Sequence, residues 1–166
     1  MIRAALIRRA QAGGRPLTGG EIDLGRSVFG DAVDYAAIRI HRRCWWPLQP
    51  RRVVMAPDGA IWFHPESPAY HADFSAAPRA AQGLFIHEMV HVWQHQTGLF
   101  LPWRRHPFCR YTYRLEPGRP FARYGIEQQA EIVRHAFLAA GSWPSGEDGG
   151  DAMRLAALLP FGTLSG

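Results

Sequence analysis

The chain has 166 residues, 47% of them hydrophobic, and a formal net charge of +5, its 19 basic residues all being arginine. That length suits one domain with a real core and leaves little room for a second, and the apolar share excludes a disordered chain. No apolar run reaches the ~20 residues of a membrane helix. Residues 1–11 carry Arg3, Arg8 and Arg9 among Ile2, Leu6 and Ile7 and lack the long apolar stretch of a cleaved secretory signal. The expected address is the cytoplasm, with export left to a dedicated secretion machine.

Residues 1–12 read as a short amphipathic helix, broken by Gly13, Gly14, Pro16, Gly19 and Gly20, so that 1–20 forms an N-terminal arm. A short helix and turn follow over 21–36. The alternation at 37–41, with Ile38 and Ile40 on one face, predicts a strand. Residues 52–55 and 60–64 read as an antiparallel hairpin turning at Ala56-Pro57-Asp58-Gly59. A long helix starts near Pro78 and stops at Gly98. Leu84, Phe85, Met89, Val92 and Trp93 give it a broad apolar surface, as in a buried helix. Residues 99–120 hold four prolines and a strand-like stretch at 111–115. A second helix spans 121–140, between Pro120 and Gly141. A linker, 142–151, precedes a last helix over 152–159, capped by Asp151 and ended by Pro160. The expected architecture is α+β, a small antiparallel sheet packed on two main helices. The main domain covers 21–141, and 142–166 holds the linker and short C-terminal helix.

Arg104, Arg105, Arg110, Arg114, Arg119 and Arg123 share one stretch with a single acid, Glu116. Such a patch could attract an acidic partner, nucleic acid or a charged substrate, but no nucleic-acid motif accompanies it, and the leading reading is a solvated basic loop. Cys44 and Cys109 are far apart, fall in no CxxC pair and both read as buried thiols.

Residues 87–91 read His-Glu-Met-Val-His. On a helix, His87 and His91 lie one turn apart on one face and can share an ion at ~2.0–2.1 Å from each ring nitrogen. Glu88 projects differently and can take a proton from water at that ion. A third ligand is needed. His95 lies ~12 Å along the axis from His87, too far to share the ion. Thr97 stands where an HExxHxxGxxH pattern needs its last histidine. Glu127 and Glu131, at i and i+4 on the second helix, are the better candidates, and either could reach the ion.

The HExxH followed by Glu127-Gln128-Gln129-Ala130-Glu131 resembles the gluzincin metallopeptidases, in which a glutamate on a later helix completes the zinc site. The resemblance implies a zincin-like fold, a Zn2+ cofactor, Glu127 as third ligand and Glu131 as a supporting carboxylate or alternative ligand. Residues 16–21, Phe29-Gly30-Asp31, Ile38-Arg39-Ile40-His41 and 85–94 are similar to bacterial Rhs/Vgr-related proteins. Those are in turn similar to the metallopeptidase-like core domain of extracellular contractile injection systems. This likeness implies a link with type VI secretion or a toxin system.

The leading reading is a zinc metallopeptidase acting on a peptide or protein. An extended substrate would pair along 60–64, and Tyr124, His135, Tyr111 or a nearby arginine would stabilise the transition state. The alternative is an inactive, zinc-stabilised adaptor of a secretion or injection assembly, with Trp45, Trp46, Trp93 and Trp103 contributing a partner surface. A nucleic-acid binder rests on net charge alone.

Overall fold

The computed structural model describes residues 12–99, 111–140 and 149–161. Four α-helices run through them: α1 (Gly19–Phe29), α2 (Arg79–Gln96), α3 (Ile126–Ala140) and α4 (Gly149–Leu158). Two short strands, β1 (Ile40–His41) and β2 (Ile61–Trp62), form the sheet, and 3-10 turns occupy Tyr35–Ala37 and Phe121–Arg123. The expected helix over 1–12 and most of the linker lie outside the described residues, as do Trp103, Arg104, Arg105, Cys109 and Arg110.

The chain is α+β as expected, but its sheet is not antiparallel. β1 pairs with β2 in parallel, Ile40 opposite Ile61 and His41 opposite Trp62. The connection 42–60 is long enough for the crossover that parallel pairing demands. The expected hairpin survives as one antiparallel bridge, Met55 to Trp62, closed by hydrogen bonds of 3.2 and 2.7 Å. Gly59, at φ +87°, makes its turn, and a Cβ there would meet the ring of His95 at 2.8 Å. β2 is therefore flanked on both sides and offers no free edge along 60–64. The stretch 111–115 is not a strand. It is tied to its neighbours by side chains, as where Gln128 Nε2 donates to Thr112 O at 2.8 Å. Asp151 falls inside α4 and is not its cap. Cys44 is half-buried rather than buried.

α1 begins earlier than expected because Thr18 and Glu21 form a reciprocal cap: Glu21 N donates to Thr18 Oγ1 and Thr18 N to Glu21 Oε2. Gly20 sits inside this first turn, where a Cβ would lie 2.2 Å from Ser75 Oγ. Glu21 is fully buried and also receives both guanidinium ends of Arg15, at 2.8 and 2.7 Å, and Phe74 N at 3.0 Å. Arg15 in turn bridges to Ile40, so one carboxylate ties the start of the described chain to the sheet and to the loop before α2.

α2 is the central element. Pro78 O accepts from Ala81 N and Gln82 N at its start, and Gly98, at φ +98°, ends it. Phe85, Ile86, Met89, Val90 and Val92 are all buried on it, and stacked Phe63, Phe74 and Phe85 join it to the sheet side at ring separations of 5.5 and 5.3 Å. α3 packs along α2, where Gly83 meets Leu138 and Ala130 is fully buried. α3 starts later than 121 because a 3-10 turn and Gly125 precede it. Removing the Glu21 carboxylate strands the Arg15 charge and two backbone donors. Glu21→Ala should cost about 2–3 kcal/mol in denaturant unfolding, less than a fully buried pair because Arg15 stays partly solvated.

Candidate metal centre

The packing of α3 on α2 brings three buried ligand atoms together. His91 Nε2 lies 3.3 Å from His87 Nε2 and 3.1 Å from Glu127 Oε2, and His87 Nε2 lies 3.4 Å from that oxygen. All three residues are at most 5% exposed. Two imidazoles and a carboxylate held this close, with no lysine or arginine among them, form a donor set that could hold a metal ion.

Each ring is aimed by what its other nitrogen meets. His91 Nδ1 is 2.9 Å from Gln94 Oε1, which directs Nε2 at the cluster. Gln94 is fully buried, and its amide nitrogen donates to Ile126 O at 3.1 Å and Gln129 Oε1 at 2.9 Å. Gln129 passes the chain on to Tyr124 O at 2.9 Å. His87 Nδ1 lies 2.8 Å from Glu131 Oε1, an ion-pair contact without hydrogen-bond alignment. Glu131 therefore stands behind His87, while Glu127 joins the group of three.

Burial alone would draw the His87 pKa down. Contacts with Glu127 and Glu131 and the charges of Glu88 and Glu127 outweigh it and push the value up to about 9. Glu131 is correspondingly held below the usual carboxylate range, chiefly by His87. Glu88 is 3% exposed, and its Oε2 has no hydrogen-bond partner. A buried, unsatisfied carboxylate oxygen is costly, and it lies on a cleft of about 300 Å³ whose wall also includes His87, Glu131, Tyr111, Arg134 and residues 52–54.

The remaining expected residues divide. Tyr111 faces His87 across the cleft, rings 6.5 Å apart and tilted by 22°. His135 is half-exposed and reaches the cluster only through Glu131, at 3.4 Å, while its Nδ1 meets Tyr113 Oη at 2.7 Å. Tyr124 is not on this cleft: its hydroxyl accepts from Glu116 N at 3.1 Å and contacts Arg114 O at 3.4 Å. Sequence reasoning missed Arg134, whose Nη1 is 3.3 Å from Glu131, and Gln129. For Arg134 the i+3 spacing from Glu131 was the available signal; Gln129, two residues from each glutamate, carried none.

No family model matches this chain. It is 45% identical over 133 residues to the type VI secretion system spike protein VgrG2b of Pseudomonas aeruginosa, a match covering 75% of this chain and 13% of that protein's length. The solved effector domain of Pseudomonas aeruginosa VgrG2b matches with a TM-score of 0.77 and 39% identity, over 95% of this chain and 96% of that domain. The likeness agrees with the expected Vgr relationship and links the chain to type VI secretion. With both sequence and fold shared across nearly the whole of that domain, the chain belongs to the family of the VgrG2b effector domain.

Proposed function

We propose that this chain is a zinc-dependent peptidase serving as an effector of type VI secretion, exported by that machinery. The observation that carries the reading is the triangle of His87 Nε2, His91 Nε2 and Glu127 Oε2, with edges of 3.1–3.4 Å. Ligands ~2.0–2.1 Å from a tetrahedral zinc stand about 3.3 Å apart. Zinc held there would supply Lewis-acid polarisation and make a water acidic near neutral pH. Glu88, buried on the cleft wall beside His87, would take a proton from the attacking water as its oxygen adds to the peptide carbonyl carbon, and would return it to the amide nitrogen as the C–N bond breaks. Glu131 fixes the His87 ring. Tyr111 and Arg134 line the cleft where negative charge develops on the carbonyl oxygen, which favours Tyr111 and an arginine over Tyr124 and His135 for the stabilising role. An extended substrate pairs not with β2 but with Val54, which lines the cleft and whose backbone makes no hydrogen bond among the described residues.

Elemental analysis should find one zinc per chain, lost in Glu127→Ala and retained in Glu131→Ala; zinc lost only from Glu131→Ala would reverse the two carboxylates. Glu88→Gln should keep the zinc and lower peptide hydrolysis by a factor on the order of 10²–10⁴. Hydrolysis unchanged in that variant would remove Glu88 as the base, and zinc without hydrolysis in the wild type would leave the adaptor reading.

Zinc must also displace a proton from His87. Its folded pKa of about 9 stands above the ordinary 6.5, so the proton stabilises the metal-free fold fully below 6.5, and that contribution fades as pH rises through 9. Zinc uptake near pH 7 should therefore release a proton, and apparent affinity should climb toward pH 9. Titration calorimetry in two buffers of different ionisation heat reads this directly. Heats independent of buffer would mean that His87 is not displaced.

A further inference from the structure

The loop 42–53 displays an amphiphilic surface beside the cleft. Leu48 is 78% exposed, Val53 40% and Trp46 39%. Exposed arginines flank Trp46 and Leu48, Arg42 and Arg43 on one side and Arg51 and Arg52 on the other, with no acid between them in the sequence; Arg51 pairs with the exposed Glu66 at 2.8 Å, so the surplus positive charge comes from the other three. Apolar side chains of this size ordinarily collapse onto their own domain. Here the loop is built to hold them out. Gln49, 3% exposed, accepts from Trp45 N at 2.8 Å and donates to Val53 O at 2.8 Å and Trp62 O at 3.2 Å. Arg42 and Arg43 are braced on the carbonyls of Pro65 and Ala12, both at 2.9 Å. The remaining described tryptophans are occupied: Trp93 packs on Phe121 and Phe161, Trp62 stacks on His41 and its Nε1 donates to Asp58 at 2.8 Å, and Trp45 Nε1 donates to Asp58 at 3.3 Å.

We propose that this loop docks on an anionic lipid bilayer surface, with Leu48 entering the acyl boundary, Trp46 at headgroup depth and the arginines on lipid phosphates. The gradation matches an interfacial anchor: the aliphatic tip projects furthest, the indole is half-covered at its base, and the guanidinium groups rim it. A protein hot spot sets its anchors in pockets shaped to receive them. A projecting apolar tip ringed by positive charge needs only a fluid, negatively charged surface. Arg52 and Val53 belong to both the loop and the cleft wall, so docking places the cleft mouth at the bilayer. One short loop gives weak, reversible association that needs both insertion and charge.

The test is co-sedimentation of the full chain with vesicles of phosphatidylcholine alone or mixed with phosphatidylglycerol. The protein should pellet with the mixed vesicles, not with phosphatidylcholine alone, and less as salt is raised. Leu48→Asp and Arg51→Glu change exposed positions, the second also breaking the surface pair with Glu66 and leaving that acid uncompensated, and each should weaken association about tenfold while the circular dichroism spectrum stays that of the wild type. Met153→Asp, at a site 62% exposed on α4, should bind like the wild type. Failure to pellet with mixed vesicles overturns the proposal and leaves the tip as a protein-docking surface. Equal loss in Met153→Asp, or none in Leu48→Asp, also overturns it, because attraction would then be general charge rather than this loop.

Discussion

Three carboxylates crowded around two imidazoles set the terms for the rest of this molecule. Glu88 and Glu127 are almost inaccessible, and the Glu131 side chain is 14% exposed. Buried carboxylates without compensating charge cost several kcal/mol each. A proton on His87 offsets part of that, which is why its pKa stands so far above that of an ordinary histidine. A divalent cation within the triangle would offset more, because it would face His87, His91 and Glu127 at once. The centre is thus organised to favour positive charge.

Holding such a centre requires helices that approach closely and cannot slide. Gly83 against Leu138, and the fully buried Ala130, let α2 and α3 come together. The relay from His91 through Gln94 and Gln129 to the Tyr124 carbonyl then locks their register with buried hydrogen bonds. On the opposite side, stacked Phe63, Phe74 and Phe85 fix α2 against the sheet. This explains an otherwise odd helix, apolar on most faces yet carrying HExxH: it is clamped from two sides, and its polar groups are spent on the cluster.

Much of this was legible in the sequence, for physical reasons that differ by element. The limits of α2 were marked by Pro78 and Gly98, and a single face for His87 and His91 follows from helical geometry alone. Spacing could not choose between Glu127 and Glu131, because both lie on the same helical stripe; only the packing of α3 sends one to the cluster and the other behind His87. The sheet was misread because hairpin chemistry at 56–59 is local and visible, whereas the pairing of Ile40 with Ile61 depends on a long crossover that leaves no periodic trace. The start of α1 was missed because Gly19 and Gly20 look like breakers, although Thr18 and Glu21 already spell a reciprocal cap. The stabilising residue was not legible, since Tyr111, Tyr124, His135 and several arginines were all candidates and a side chain's direction depends on which hydrogen bonds claim it first.

The cleft joins two kinds of structure with different tolerances. Its inner wall, from α2 and α3, is part of the core, so a change there disturbs charge balance and stability together. Its outer wall, Arg52 to Val54, belongs to a loop whose shape is set by Gln49 rather than by core packing. That loop can vary its exposed side chains at little cost to the fold, since an exposed residue contributes few contacts. The proposed chemistry would thereby be confined to the packed helices, and the proposed recognition to a braced loop next to them. With both edges of β2 occupied by pairing, this loop is also where backbone without a partner among the described residues, at Val54, meets the cleft beside His87 and Glu88.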